Sequence, residues 1–153
     1  LTVNTLLTDE ELVDALEYVQ FLYNNDVDGI IVQDIGLLYW IKKYFPDMPV
    51  HCSTQMTIHN KDGVEILGKL GADRFVLARE MNIGEIKNLI ESTNAETEIF
   101  VHGALCVSYS GQCLMSSFIG GRSGNRGRCA QPCRKEYKLV KLENGLNNWY
   151  CGL

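Results

Sequence analysis

The chain has 153 residues, 46% of them hydrophobic and 22% charged, with only 3 prolines. That balance suits one domain or a large part of one and excludes collagen-like, low-complexity and disordered chains. No apolar run approaches the ~20 residues of a membrane-spanning helix. No basic stretch leads into an apolar core as a secretory leader does, so a cytoplasmic protein without a membrane partner is expected. The net charge of −5 is unevenly spread. Residues 122–153 carry seven Lys and Arg against two acids, whereas the first 121 carry seven against 17. An acidic body with a basic C-terminal stretch suits an anionic partner.

The first hundred residues repeat one pattern: short apolar strand, loop, amphipathic helix. Leu1–Thr5 reads as a strand end. Thr8 with Glu11 three residues on is a capping box, and Leu12, Ala15, Leu16, Val19 and Leu22 then share one helical face. Asp28–Asp34 reads as a second strand, followed by a helix through Tyr44 that stops at Pro46. Tyr39, Trp40 and Tyr44 on that helix are expected in the core. Val50–Ser53 is a third strand, in which Cys52 is expected to pack, and Asn60 caps a helix with Val64, Leu67 and Leu70. Arg74–Ala78 is a fourth strand, followed by a helix with Ile83, Ile86 and Ile90. Glu98–His102 is the fifth.

Strands alternating with helices at this spacing imply right-handed βαβ units and a parallel sheet. No Gly-rich phosphate fingerprint follows any strand, which argues against a dinucleotide-binding domain. Five units fit where a complete (β/α) barrel takes ~250 residues. The expected fold is therefore α/β, a segment of a TIM-like (β/α) barrel over residues 1–103, with the rest of the barrel outside this chain. In such folds ligands meet the C-terminal ends of the strands. The polar residues there are Asn4, Thr5, Gln33, Asp34, Ser53, Thr54, Gln55, Arg79, Glu80 and His102. Of these, Asp34, Gln55, Arg79, Glu80 and His102 are the candidate catalytic groups.

After Gly103 the pattern changes. Residues 104–134 form a Cys-, Gly- and Arg-rich excursion, long enough to suggest a functional loop. Residues 135–153 return to strand, with Tyr137, Leu139 and Leu142 alternating. Cys106, Cys113, Cys129 and Cys133 follow the spacing C-x6-C-x15-C-x3-C. Four thiolates on bendable backbone suit an iron–sulfur cluster, zinc, or disulfides and free thiols. Cys52 and Cys151 stand apart from them. Arg122, Arg126, Arg128 and Arg134 surround the thiols, placed to offset cluster charge or to hold RNA phosphates. Stacking aromatics nearby are sparse: Tyr109, Phe118 and Tyr137.

The stretch Glu98-x-Phe100-x-x-Gly103-Ala104-Leu105-Cys106-x4-Gly111-x-Cys113-x-Met115-Ser116 resembles the signature of peptidase family U32, the collagenase-like proteases. Gly120 to Arg134 is similar to its continuation, and His51–Met56 and Leu77–Glu80 resemble further family segments. The resemblance implies a barrel-type domain and two incompatible chemistries. The family was catalogued as peptidases of unknown catalytic type. Other branches resemble iron–sulfur enzymes that hydroxylate tRNA or 23S rRNA bases, or ubiquinone precursors, without molecular oxygen. For the RNA branches it implies prephenate as a linked oxygen source. Cysteines matching Cys106, Cys113 and Cys129 would bind a [4Fe–4S] cluster, with zinc the alternative metal. The fourth ligand is Cys133 or a residue beyond Leu153.

The residues themselves give a peptidase little machinery. Cys106 or Cys113 with His102 is the pair on paper, but a cluster would take both thiolates. No His-Glu-x-x-His helix and no Gly-x-Ser-x-Gly elbow is present. A hydroxylase divides the labour more clearly: thiols at the barrel mouth and strand-end groups around the substrate, with Arg79 suited to a carboxylate of the oxygen donor. A third reading is a structural metal in an RNA- or partner-binding module.

Overall fold

A computed structural model describes residues 1–141 and 149–152, the last two strands by their backbone alone. Five short strands form one parallel sheet: β1 (Thr2–Val3), β2 (Ile30–Val32), β3 (Val50–Cys52), β4 (Arg74–Val76) and β5 (Glu96–Glu98). Their spatial order follows the chain, β1-β2-β3-β4-β5. A doubly wound sheet reverses direction partway across. This one does not, which is consistent with a TIM-like segment. The register sets Val3 opposite Val32, Val32 opposite Cys52 and Cys52 opposite Phe75.

Helices α1 (Asp9–Asn24), α2 (Ile35–Tyr44), α3 (Lys61–Lys69) and α4 (Ile83–Thr93) follow the first four strands. Each begins where a side chain satisfies orphan backbone donors. The expected capping box is present, with Thr8 accepting from the Glu11 amide and Glu11 from that of Thr8. Asn60 caps α3 as expected, and Asn82 forms a second box with Glu85 at α4. The buried core cluster runs from Val19 to Leu89, and among the described residues none of its members lies beyond Leu89. Cys52 is fully buried within it, and loss of hydration pushes its thiol up to about 12, so it packs and does not react.

Four expectations need correction. Strand five is Glu96–Glu98, not Glu98–His102. The apolar run Ile99-Phe100-Val101 suggested a buried strand, yet all three side chains are exposed. Pairing decides the register: Arg74 sits opposite Glu96 and bonds it, Phe75 opposite Thr97 and Val76 opposite Glu98. On α4 the inward face is Ile86 and Leu89, while Ile83 is 77% exposed and Ile90 also faces solvent. Tyr39 and Tyr44 are exposed rather than core. With half-buried Trp40 they form a surface aromatic ladder, with the Lys43 ammonium 4.4 Å from the Trp40 ring centre. Lastly, the return to strand is β6 (Lys138–Lys141), paired antiparallel with β7 (Trp149–Gly152) in a separate two-stranded sheet. Leu142 lies outside the described residues.

Candidate functional site

The strand ends open onto a cavity of about 340 Å³. Asn4, Gln55, Arg79 and Glu80 line it from the sheet side, and Phe100, Cys106 and Ser110 from the segment that follows β5. Asn4 Nδ2 donates to Gln55 Oε1 at 2.9 Å, tying the end of β1 to the turn after β3. Arg79 lays its guanidinium 3.9 Å from the Phe100 ring centre, and Nη1 donates to the Ala104 carbonyl. This stack turns a cation and an aromatic face toward one space.

Glu80 is held from across the cavity. The Ser110 amide donates to Oε1 at 2.7 Å and the Ser110 hydroxyl to Oε2 at 2.9 Å. Burial opposes its ionisation, but these two bonds and the nearby Arg79 charge outweigh it, so its pKa lies below the ordinary carboxylate value. Ser110 achieves this from a left-handed conformation, φ 43°. Gly111 beside it has φ 84°, a conformation that favours glycine, while a Cβ added there would meet Gln55 only at an ordinary contact distance of 3.7 Å. Gln112 completes the docking, its Nε2 donating to the Gln55 carbonyl and to Thr57 Oγ1.

The thiols of Cys106, Cys113, Cys129 and Cys133 are free, and Cys113 alone among them is partly covered. Three share a local geometry. The Ser108 amide donates to Cys106 Sγ at 3.4 Å, Met115 to Cys113 Sγ at 3.3 Å and Gln131 to Cys129 Sγ at 3.3 Å. Each is an amide two residues downstream of its cysteine, the kind of outer bond that orients a sulfur ligand. Cys133 has no such bond among the described residues. Gly124 separates Cys113 from Cys129: a Cβ there would lie 3.6 Å from the Cys113 carbonyl oxygen and 3.6 Å from Cys129 Cβ. Across the described residues no three His, Cys, Asp or Glu side chains are gathered closely enough to hold a metal ion. The donor chemistry and its amide support fit a soft-metal cluster, while the convergence itself is not displayed.

The remaining candidates fall elsewhere. Asp34 caps α2, its Oδ1 accepting from the Leu37 amide at 2.8 Å and its Oδ2 from the Leu7 amide at 3.2 Å. Both oxygens serve the backbone, and the residue faces a second cavity. His102 is exposed, four residues beyond the end of β5, and lines neither cavity. Arg126 forms a bidentate pair with Glu11 at 2.7 and 2.8 Å. The Arg126 hydrogen bonds, with that from the Thr8 amide, lower the Glu11 carboxyl to about 2. Arg122 donates to the Arg128 carbonyl at 2.9 Å and braces its own loop. Ser110, Gln112 and Phe100 escaped sequence reasoning as site residues. The Ser-Gly pair at 110–111 was the one available signal, a place for left-handed backbone.

A parallel-sheet protein with a polar, thiol-edged cavity at its strand ends is an enzyme-like class of fold, with the ligand position typical of it. Residues 1–150 match the sequence model of Peptidase family U32, and the chain belongs to that family. It is 44% identical over 138 residues to a 23S rRNA 5-hydroxycytidine synthase of Escherichia coli, covering 90% of this chain and 21% of that protein. It is 41% identical over 113 residues to a tRNA hydroxylation protein of the same organism, covering 73% of this chain and 25% of that one. A collagenase of Porphyromonas gingivalis is 31% identical over 157 residues, covering 95% and 37%. The chain thus spans a fifth to little more than a third of these relatives. No solved structure matches it. Among the described residues no helix is long and apolar enough to cross a membrane.

Proposed function

We propose that this chain carries the substrate cavity and cluster-binding segment of a cytoplasmic enzyme that hydroxylates a tRNA or 23S rRNA base without molecular oxygen. The observation that carries this reading is the placement of Cys106 on the wall of the cavity that also holds Arg79 and Glu80. The names of the similar hydroxylation proteins support it. The sheet closes into a TIM-like barrel with strands from outside this chain, and Cys106, Cys113 and Cys129 hold a [4Fe–4S] cluster at its mouth. Cys133 or a residue beyond Leu153 completes the set. When bound, the cluster supplies the electron-transfer chemistry of oxygen insertion.

The chain's own residues do the rest. The Arg79–Phe100 stack offers a flat face against which an unstacked base lies. Glu80, ionised at neutral pH, accepts an N–H from the base. The free edge of the Arg79 guanidinium takes a carboxylate of a prephenate-like oxygen donor. Asn4 and Gln55, bonded to one another, fix the floor. A peptidase has less support: no hydrogen bond joins His102 to Cys106 or Cys113 among the described residues, so a thiol–imidazole pair is not assembled.

The test is nucleoside mass spectrometry of RNA treated with anaerobically purified full-length protein. A hydroxylated nucleoside is expected from the wild type and not from Glu80→Ala or Arg79→Ala. Cleavage of gelatin that survives Cys106→Ser and Cys113→Ser, with no modified nucleoside, overturns the reading.

A further inference from the structure

The second cavity, about 570 Å³, lies between the N-terminal ends of α2 and α3. Gln55 lines both cavities and stands as the partition between them. Met56, Ile58 and Leu67 give it apolar walls. At its edge lies Gln33, only 6% exposed, whose Oε1 is fully buried without a hydrogen-bond partner. A buried acceptor left unpaired is costly and is normally satisfied by protein, water or ligand.

The rest of the lining restricts what that ligand can be. It contains no Lys or Arg; its one carboxylate, Asp34, already accepts from two backbone amides, and its one imidazole, His59, is engaged through Nδ1 with the Thr57 carbonyl. A phosphate or carboxylate finds no Lys or Arg here, and a ligand cation finds only a carboxylate already bonded to two amides. What fits is a flat, neutral heterocycle presenting an N–H to Gln33 and its faces to the apolar walls. Every RNA base meets that description, and a nucleic-acid strand that places one base in the first cavity must put its neighbour within a few ångströms. We propose that the second cavity receives the nucleobase flanking the reacting one, with Gln33 Oε1 accepting its N–H. This rests on the RNA reading above and adds to it a second base-binding subsite, held through Gln33.

The test uses the full-length protein and a short single-stranded RNA centred on the base it hydroxylates. Companion RNAs are abasic at the 5′ or the 3′ neighbour, and binding is followed by fluorescence anisotropy at fixed salt. Gln33→Met is expected to weaken binding of the intact RNA by about tenfold, the scale of one buried hydrogen bond. It should leave unchanged the binding of one of the two abasic RNAs. Ile66→Trp, an exposed position at the cavity wall, is expected to give the same pattern by filling the space. Because Gln33→Met removes an unsatisfied acceptor, its melting temperature should equal or exceed that of the wild type. Wild-type affinity in both variants, or equal weakening toward every RNA, overturns the flanking-base site while leaving the hydroxylase reading intact. A wild-type protein that binds and modifies no RNA overturns both.

Discussion

The body through Leu89 and the excursion from 104 to 134 are held in place by different forces. The body is an apolar core: Val19, Ile30, Leu37, Leu38, Ile41 and Val50 are fully buried in one cluster. The excursion contributes no side chain to that cluster, and its buried residues are Ser110, Ser116 and Pro132. It is pinned to the body by polar contacts instead. Ser110 bonds Glu80, Gln112 bonds Gln55 and Thr57, Asn125 accepts from the Leu6 amide, and Arg126 clasps Glu11. Meanwhile Leu105, Val107, Leu114, Phe118 and Ile119 stand exposed. Hydrophobic burial is strong and non-directional, whereas hydrogen bonds are directional and weak on balance. The first makes a scaffold and the second aims a loop. A segment aimed but not packed is suited to being locked by a ligand that it binds.

Substitutions that break this contrast should differ in scale. The largest effect belongs to the scaffold. Ile41→Ala should cost about 2–5 kcal/mol in denaturant unfolding, while Phe118→Ala, although larger in volume removed, should change stability by about 0.5 kcal/mol or less. Equal costs would mean that the excursion packs as the body does.

A smaller, local effect is expected at the main polar anchor. Glu80→Ala should speed hydrogen exchange at the Ser110 amide by about tenfold or more, from the loss of bonds to a charged acceptor, with exchange in β2 and β3 unchanged. The pH dependence has a definite sign. Glu80 is lowered in the folded state, so the anchor is fully present above its unfolded pKa and is lost as pH falls through the lower folded value. Protection of Ser110 that vanishes on raising the pH from acid to neutral, beyond the intrinsic exchange rate, would contradict this.

The smallest effect concerns the exposed Arg126–Glu11 pair. Arg126→Met should leave global stability unchanged, since exposed pairs contribute little. It should return the Glu11 carboxyl from about 2 toward its ordinary value, read by NMR titration of the side-chain carbon. In the wild type whatever the pair contributes is present above the unfolded glutamate pKa and fades as pH falls toward about 2. A Glu11 titration insensitive to the substitution would show that the clasp does not form in solution.

How much of this was legible in the residues depended on range. The caps at Thr8 and Asn60 act over three residues, and both are where the sequence places them. Gln55, Arg79 and Glu80 come directly after apolar strands, which is why their place on the rim could be read. Strand five could not be, because an ion pair and ladder with β4, 22 residues away, outweighed the local apolar run. The Arg126–Glu11 clasp spans 115 residues, and no local pattern encodes it. Asp34 looked like a rim acid and proved to be a cap, the commoner use of an Asp after a strand. Tyr39 and Tyr44 have helical spacing, but the face they share with Lys43 points to solvent.

Cys106, Cys113 and Cys129, each bonded by a backbone amide, are the proposed holders of the cluster. Iron and acid-labile sulfide quantitation on anaerobically purified full-length protein tests that directly. About four of each per chain are predicted, with a brown chromophore that disappears in Cys113→Ala. Stoichiometric zinc without iron, or a full cluster retained after Cys106, Cys113 and Cys129 are all replaced by alanine, would contradict it.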